Sequence, residues 1–343
     1  MPTKDERKEH YERYGWKCNE DNLKTLPKTA PAAAKSLAEW LTLEGRRSSL
    51  EEWIGQVHDD GRLHGKLWHI GAWTQRMSHS SPNTANIPAV WPHDRTPETP
   101  VEHIKERYDA RLRELFEADP NAYLVGCDAD GIQLRMLAHY MRSDEYAKAI
   151  LDGDKALGTD IHSLNKNALG SVCKSRDDAK TFIYAWLLGA GIDKVASILG
   201  CNRHEAINAV NDFLAAIPDL QRLKKRDIPH YSRQGGFKGL DGRFINCTSE
   251  HLMLAGMLQS GEAIVMKTAN VYWYHSAKRM GIRFKQVNFV HDEWQTVVYG
   301  DEADAHRMGK LQAMAIMQAG VDLDVRCRLD GSYKIGQNWK ETH

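Results

Sequence analysis

The sequence predicts an α+β protein in which helices surround an antiparallel sheet. Two hydrophobic runs, YLVGCD at 123–128 and FVHDEW at 289–294, have the composition of buried strands and each carries an acid at its edge. Residues Glu250 to Met280 form one long helical pattern that Gly281 would close. Long helices with a few strands that pair antiparallel are typical of this fold class.

Composition leaves most function classes open and excludes a few. Lys and Arg total 46 and Asp and Glu total 46, so the net charge of zero gives no overall attraction to nucleic acid and any anion site must be local. Six cysteines without a CxxC pair indicate reduced thiols in a cytosolic protein rather than a zinc site or a disulfide framework. No signal peptide and no apolar run of roughly 18 residues appear, which predicts no membrane partner.

The first third of the chain alternates helical patterns with loops. A helical pattern is predicted over Ala30–Val57, broken near Gly45, followed by a turn at 59–61 and a strand through Leu63 and Leu67. We then expect a loop over 74–92, a linker from Pro92 to Pro100, and a charged helix over Val101–Ala118.

The remainder alternates helices with strand pairs. Up to residue 217 the patterns predict a strand at 123–128, a helix to Met141, irregular helices over 145–174, a capped helix at 175–191, and helices at 192–199 and 203–216. A proline break at Pro218 follows, with the basic patch Arg222, Lys224, Lys225 and Arg226. The rest of the chain is predicted as two strands around 238–243, the long helix, strands at 284–290 and 294–299 around the turn 291–293, a helix at 301–319, and strands within 325–339.

The helix predicted at 175–191 carries a pattern that indicates a function. Ser175 and Asp178 have the spacing of a capping-box variant, which places the start of the helix. Arg176, Lys180 and Tyr184 then follow at four-residue intervals along one side. Two cations near a helix N-terminus can bind phosphates, and the aromatic ring can lie against a flat ligand. Taken alone, the same stripe also fits a solvated charged face.

Two acids, Asp128 and Asp292, lie at the edges of the predicted strands. Pairing of these strands would bring the carboxylates together, and paired carboxylates hold two divalent cations for attack of a hydroxyl on phosphorus. Each acid alone also fits a turn or cap residue.

At this point the sequence resembles the polymerase part of a family A DNA polymerase, of the type that replicates T-seven-like podophages. The matching blocks, in order, are TQRMSHSSPNTANIP (74–88), DADGIQLRMLAHYM (128–141), DIH (160–162), RDDAKTFIYAWLLGAG (176–191), KGLDGR (238–243), LQSGEAIVMK (258–267), VHDEWQ (290–295) and GQNWKETH (336–343). They run collinearly from about residue 35 to the end, and the order makes the resemblance specific.

The resemblance implies a right-hand fold and a division of the chain. It implies a partial helical thumb and N-terminal segment at 1–70, an antiparallel palm sheet at 71–144 and 236–343, and helical fingers at 145–235. The implied reaction adds deoxynucleotides to a primer 3′-hydroxyl, with two Mg²⁺ ions as cofactors and with primer–template DNA and deoxynucleoside triphosphates as partners.

The resemblance also assigns the catalytic and metal-binding residues. Asp128 and Asp292 would hold the metal ions together with the carbonyl of Ala129, and Glu293 would support the second acid. Lys180 would donate a proton to the pyrophosphate leaving group.

Ligand-binding residues follow from the same motifs. His162, Arg176 and Lys180 would bind the triphosphate, and Tyr184 would border the new base pair and the sugar. For DNA, Arg76 and Gln259 resemble the pair that reads minor-groove acceptors, and His291 would approach the primer terminus. Read alone, Gln259 also fits a surface position and His162 a helix cap or a solvent-exposed histidine.

The sequence departs from the family pattern at Gln133, where family members carry a glutamate that excludes a ribose 2′-hydroxyl. We hypothesise weaker discrimination against ribonucleotides, to be tested by competition between ribo- and deoxynucleotides in wild type and Gln133→Glu. Asp130 and Gln133 also have capping-box spacing, so Gln133 alternatively only helps to start its helix. Asp130 itself fits either a cap or a third acid of the metal site.

A larger departure lies ahead of Arg76, where the sequence offers one thumb helix and no exonuclease. We expect a split polymerase, in which a separate polypeptide brings the exonuclease and the other thumb helix, with a processivity factor as a further possible partner. A minimal, poorly processive polymerase is the alternative. The rival functions are a metal-dependent nuclease and a non-catalytic primer–template-binding subunit, and for a phage protein the compartment would be the host cytoplasm.

Overall fold

The structure is a computed structural model that describes residues 18, 19, 23, 29–88 and 111–343. It divides into two compact units, one comprising Met1–Lys66 and His79–Leu115 and the other Leu67–Ser78 and Phe116–His343. The predicted linker at 92–100 and most of the predicted charged helix at 101–118 lie outside the described residues. Among the described residues, no helix combines the length and apolar character needed to cross a bilayer.

The first unit is built on α1, Ala32–Gln56, a helix of 25 residues. The predicted break at Gly45 is wrong, because the helix runs through this position without interruption. A glycine inside a helix costs only about 1 kcal/mol relative to alanine, which does not end a helix by itself. Arg47 pairs with Glu44 and Glu51 on either side of it and supports the continuous helix.

Ten α-helices are described in the second unit. They are α2 (Ile132–Met141), α3 (Asp144–Leu151), α4 (Ile161–Leu169), α5 (Arg176–Leu187), α6 (Ile192–Leu199), α7 (Arg203–Ala216), α8 (Pro218–Arg222), α9 (Ile228–Arg233) and α10 (Glu250–Arg279), with α11 (Glu302–Asp322) after the sheet hairpin. The predicted proline break is confirmed, because α7 ends at Ala216 and Pro218 begins α8, where its missing N–H is tolerated. A π-helical turn at Leu223–Asp227 then carries most of the basic patch.

Eight strands are described. They are β1 (Lys66–Trp68), β2 (Ser78–Ser80), β3 (Tyr123–Ala129), β4 (Gly236–Lys238), β5 (Phe244–Asn246), β6 (Arg283–Val290), β7 (Glu293–Tyr299) and β8 (Gly331–Gly336). Residues 325–339 hold a single strand, β8, rather than several. The predicted strand near 63–67 is limited to β1 and an isolated bridge between Val57 and Leu63.

The central sheet of the second unit has four antiparallel strands in the order β6-β7-β3-β8. This confirms the predicted α+β class with an antiparallel sheet. α10 and α11 pack against each other, and α11 lies on β3 and β8. Trp273 of α10 and Trp294 of β7 are fully buried with their ring centres 5.7 Å apart, so the sheet and the long helix share one core.

Candidate active site

The two predicted metal-binding acids lie side by side at one end of the central sheet. β3 pairs with β7 in a register that sets Asp128 opposite Glu293. The backbone N–H of Ala129 donates to the carbonyl oxygen of Asp292 at 3.0 Å, which joins the end of β3 to the turn between β6 and β7. The antiparallel pairing therefore brings together Asp128 and Asp292, which are distant in sequence.

The electrostatics of these carboxylates reflect their proximity. The pKa of Asp128 is raised to about 7. Desolvation by the surrounding protein is the largest cause, and the charges of neighbouring carboxylates, Glu293 first, raise the pKa further. The pKa of Asp292 is also raised well above its ordinary value, first by burial and then by the charges of Glu262 and Asp128. Asp128 nevertheless remains accessible to solvent, so a ligand can reach it.

The donor set fits divalent cations of the Mg²⁺ type. Two carboxylates that repel each other without a cation are stabilised when one binds, and hard oxygen ligands are those that Mg²⁺ prefers. Among the described residues, no group of three or more His, Cys, Asp or Glu side chains is placed to hold a metal ion. Cations held by the two acids would therefore need further oxygen ligands, which backbone carbonyls, water or phosphates can supply.

Glu293 is buried and binds the tail segment, residues 337–343. Its Oε1 accepts from Trp339 Nε1 at 2.7 Å, and its Oε2 contacts His343 Nδ1 at 2.8 Å. Burial would raise the pKa of Glu293, but the hydrogen bonds and the charge of His343 lower it on balance. Its hydrogen bonds thus connect Glu293 to the tail segment rather than to Asp292, and any support of Asp292 passes through the turn that Asp292 shares with β7.

Asp130 follows β3 and does not cap a helix. Its Oδ1 accepts a hydrogen bond from Ser332 Oγ at 2.7 Å, and α2 begins instead after Gly131, which provides no side-chain cap. The capping-box alternative for Asp130 and Gln133 is therefore wrong. The left-handed backbone at Gly131 sets the start of α2 without one.

α5 presents the predicted phosphate-binding stripe. Its capping box is formed as predicted, with Ser175 and Asp178 each bonding the backbone of the other. The guanidinium of Arg176 donates to Asp160 at 2.8 and 3.0 Å, and Asp160 in turn caps α4. Lys180 is exposed to solvent. The first turns of α5 are therefore joined to the N-terminus of α4.

His162 and Tyr184 connect this stripe to the acids. The rings of His162 and Tyr184 lie 6.1 Å apart. Burial, and then the charges of Asp292 and Asp128, raises the pKa of the Tyr184 phenol, which therefore lies within electrostatic range of both acids. The structure thus brings α5 and the carboxylate pair to one place.

Arg76 and Gln133 meet at a residue that the sequence analysis missed, Glu262 of α10. Arg76 donates from Nε to Oε1 at 2.7 Å and from Nη2 to Oε2 at 2.6 Å, and the Gln133 amide also donates to Oε2. Glu262 has no solvent-exposed surface. An acid among the small and apolar residues of SGEAIV was the available signal, because such a residue is almost never fully buried without a partner.

The two remaining predicted DNA contacts lie on different elements of the same unit. Gln259 is half-buried on α10, three residues before Glu262 and therefore on a similar face of the helix. His291 is half-buried in the β6–β7 turn beside Asp292, with a φ of 52°. The described geometry thus places His291 next to the acids and Gln259 one helical turn from the Arg76 partner.

The fold of this chain is that of a polymerase domain. The whole chain aligns with the POL domain of Pol1 from M. smegmatis, solved in complex with DNA primer-template and dNTP, with a TM-score of 0.81 and 20% sequence identity over 58% of that chain. This similarity shows the fold.

The chain belongs to DNA polymerase family A, whose family model matches residues 2–341. It is 30% identical to the DNA-directed DNA polymerase of Enterobacteria phage T3 and 30% identical to that of Escherichia phage T7. Each alignment covers 91% of this chain and 46% of the phage protein. The chain therefore spans about half the length of these relatives.

Proposed function

We propose that this chain is a template-directed DNA polymerase that adds deoxynucleotides to a primer 3′-hydroxyl. The observation that carries the proposal is the adjacency of Asp128 and Asp292, with the phenol of Tyr184 within range of both acids. Membership of family A and the phage relatives named as DNA-directed DNA polymerases support the same activity.

The reaction forms one phosphorus–oxygen bond and breaks another. The primer 3′-oxygen attacks the α-phosphorus, its proton leaves to solvent, and the bond to the β-phosphate breaks to release pyrophosphate. Asp128, Asp292 and the Ala129 carbonyl would hold two Mg²⁺ ions, which when bound lower the pKa of the attacking hydroxyl and neutralise charge on the leaving group.

The residues of α4 and α5 bind and orient the nucleotide. The proposed triphosphate ligands are Arg176, Lys180 and His162, and Lys180 would donate a proton to the departing pyrophosphate. Arg176 bonds Asp160 in the structure, so its guanidinium is held in one orientation and exchange or sharing of that bond would accompany phosphate binding. Tyr184 would lie beside the base and sugar.

For DNA, we assign minor-groove contacts to Arg76 and Gln259 and the primer terminus to His291. Such contacts carry little sequence information, so no preferred sequence is expected. We also propose the division of the chain into a partial thumb at 1–70, a palm at 71–144 and 236–343, and fingers at 145–235.

A primer-extension assay with Mg²⁺ tests the activity. We expect the wild type to extend a primer opposite a defined template, and Asp292→Ala and Asp128→Asn each to reduce extension by about 10³-fold or more, since the charge-stabilising site is lost. Glu302→Gln, an exposed acid of α11, is the matched control that should leave extension unchanged.

Two outcomes would contradict the proposal. Shortening of the primer in the absence of nucleotides, abolished by Asp292→Ala, would indicate a metal-dependent nuclease. Binding of primer–template DNA by the wild type without any extension would indicate a non-catalytic subunit.

A further inference from the structure

Glu262 is a fully buried carboxylate at the centre of the long helix α10, close to the proposed active site. It is fully excluded from solvent, and its two oxygens accept hydrogen bonds from Arg76 and from Gln133. After burial, which is the largest cause for both acids, the charge of Glu262 contributes to raising the pKa of Asp292 and of Asp128. A third acid is therefore held within electrostatic range of the proposed metal ligands.

The hydrogen bonds of Glu262 indicate its ionisation state. Arg76 supplies two N–H donors in a bidentate arrangement, and Gln133 supplies an amide donor. Burial raises the pKa of Glu262, whereas its hydrogen bonds and the charge of Arg76 lower it. Both oxygens accept from the Arg76 guanidinium, and this bidentate pairing favours the carboxylate form.

The same hydrogen bonds fix the orientation of the Gln133 amide. Because Glu262 can only accept, the amide nitrogen of Gln133 must face it. The amide oxygen Oε1 is then directed elsewhere, and it is buried without a hydrogen-bond partner in the described part of the chain. A buried acceptor left unsatisfied is costly, so it points to a donor that arrives with a ligand.

Close packing of two helices makes this contact possible. Gln133 lies on α2, and α2 approaches α10 at Gly261, where an added Cβ would come within 2.7 Å of the Met136 sulfur. Glycine at 261 thus allows α2 to lie near enough for Gln133 to reach Glu262. Arg76 arrives from the loop before β2 and closes the other side of the carboxylate.

We propose that Glu262 is a positioning residue of the nucleotide site, which holds the Arg76 guanidinium and turns the Gln133 amide so that Oε1 accepts a hydrogen bond from a hydroxyl of the bound nucleotide. This inference rests on the proposed polymerase function. Glu262 acts through Arg76 and Gln133 and does not touch the reacting atoms. Its loss should therefore weaken nucleotide binding more than it slows the bond-forming step.

The test measures single-nucleotide incorporation at varied dNTP concentration, with thermal unfolding as a check on folding. We expect Glu262→Gln and Gln133→Met each to raise the KM for dNTP on the order of 10-fold or more, with kcat changed much less, because positioning is lost while the acids remain. Gln133→Met keeps the Arg76–Glu262 pair and removes only the amide, so it remains informative even if Glu262→Gln does not fold. Glu145→Gln, an exposed acid of α3, is the matched control.

Exchange of the two groups tests whether the carboxylate–amide pair itself is required, with thermal unfolding compared alongside KM. Gln133→Glu alone sets two buried carboxylates against each other and should raise KM most. The double variant Gln133→Glu/Glu262→Gln restores a carboxylate–amide pair and should bind dNTP better than Gln133→Glu alone.

The inference is overturned if Glu262→Gln and Gln133→Met keep the wild-type KM, or if the double variant binds no better than Gln133→Glu. A wild type that extends no primer would instead defeat the proposed function, and this inference with it.

Discussion

At the scale of single residues, the hydrogen-bond partner of a side chain determines the effect of substituting it. Gln133 shows this most directly, because its amide is bonded to Glu262. The ribonucleotide hypothesis cannot be tested by Gln133→Glu alone, since that change also places two carboxylates in contact. The competition between ribo- and deoxynucleotides should therefore include the double variant Gln133→Glu/Glu262→Gln, and equal selectivity in wild type and double variant would contradict the hypothesis.

His162 gives a pH prediction at the same scale. Its pKa is lowered to about 4, first by burial and then by the charges of Arg176 and Lys180, which outweigh the opposite effect of Asp160. The unfolded chain binds this proton near pH 6.5, so the contribution of neutral His162 to stability is complete above that pH and is lost as pH falls toward 4. Between pH 6.5 and pH 4 the free energy of unfolding should fall in the wild type by about 2 kcal/mol more than in His162→Gln, with solvent screening allowed for.

Urea unfolding at several pH values measures this difference. His204→Gln, which changes an exposed histidine of α7, is the control and should follow the wild type. Parallel pH dependence of wild type and His162→Gln would show that His162 is not the group responsible.

At the scale of secondary-structure elements, the crossing of the tail segment over β3 requires a glycine. A Cβ at Gly126 would overlap the carbonyl oxygen of Thr342 and lie 2.6 Å from the Gln295 amide nitrogen. Thr342 donates to Gln295 at 2.8 Å, and Glu293 holds the same segment through Trp339. The tail segment thus packs against β3, which carries Asp128, and bonds to β7, which directly follows Asp292.

Gly126→Ala should therefore displace the tail segment. We expect a loss of about 1–3 kcal/mol in the free energy of unfolding, as for overpacking of a filled site, and faster proteolytic removal of residues 337–343. Urea unfolding and mass spectrometry of the digest measure the two effects.

The same substitution at Gly45 is the matched control. Nothing lies within 4 Å of a Cβ added at Gly45 in α1, so Gly45→Ala should stabilise the helix by up to about 1 kcal/mol. A Gly126→Ala variant as stable as wild type, with its tail protected, would show that the crossing is not tight.

At the scale of the whole molecule, the charge balance bears on how long the protein stays on DNA. Lys and Arg equal Asp and Glu at 46 each, so no general attraction adds to the local contacts of the site. We expect the chain alone to add only short stretches per binding event, and still shorter ones as salt rises. Product lengths measured with excess trap DNA test this, and long products from a single binding event would contradict the prediction.

The sequence alone determined the features that depend on local spacing. Strand composition located Asp128 and Asp292, the capping box located the start of α5, and four-residue spacing aligned Arg176 with Lys180 and Tyr184. Such signals depend on neighbours a few residues away, so they can be read without coordinates. Gly45 shows the limit of such local signals. Its low helix propensity predicted a break, but the long helix α1 continues through it.

Only the tertiary structure decided which buried polar groups are partners. Arg76 meets Glu262 across 186 positions, and Glu293 meets His343 across 50. A buried carboxylate must find donors somewhere, but which donors it finds depends on how helices and strands pack, and no local pattern carries that information. For this reason the sequence located the two acids and the cationic helix, while Glu262, which joins Arg76 to Gln133, became visible only in the fold.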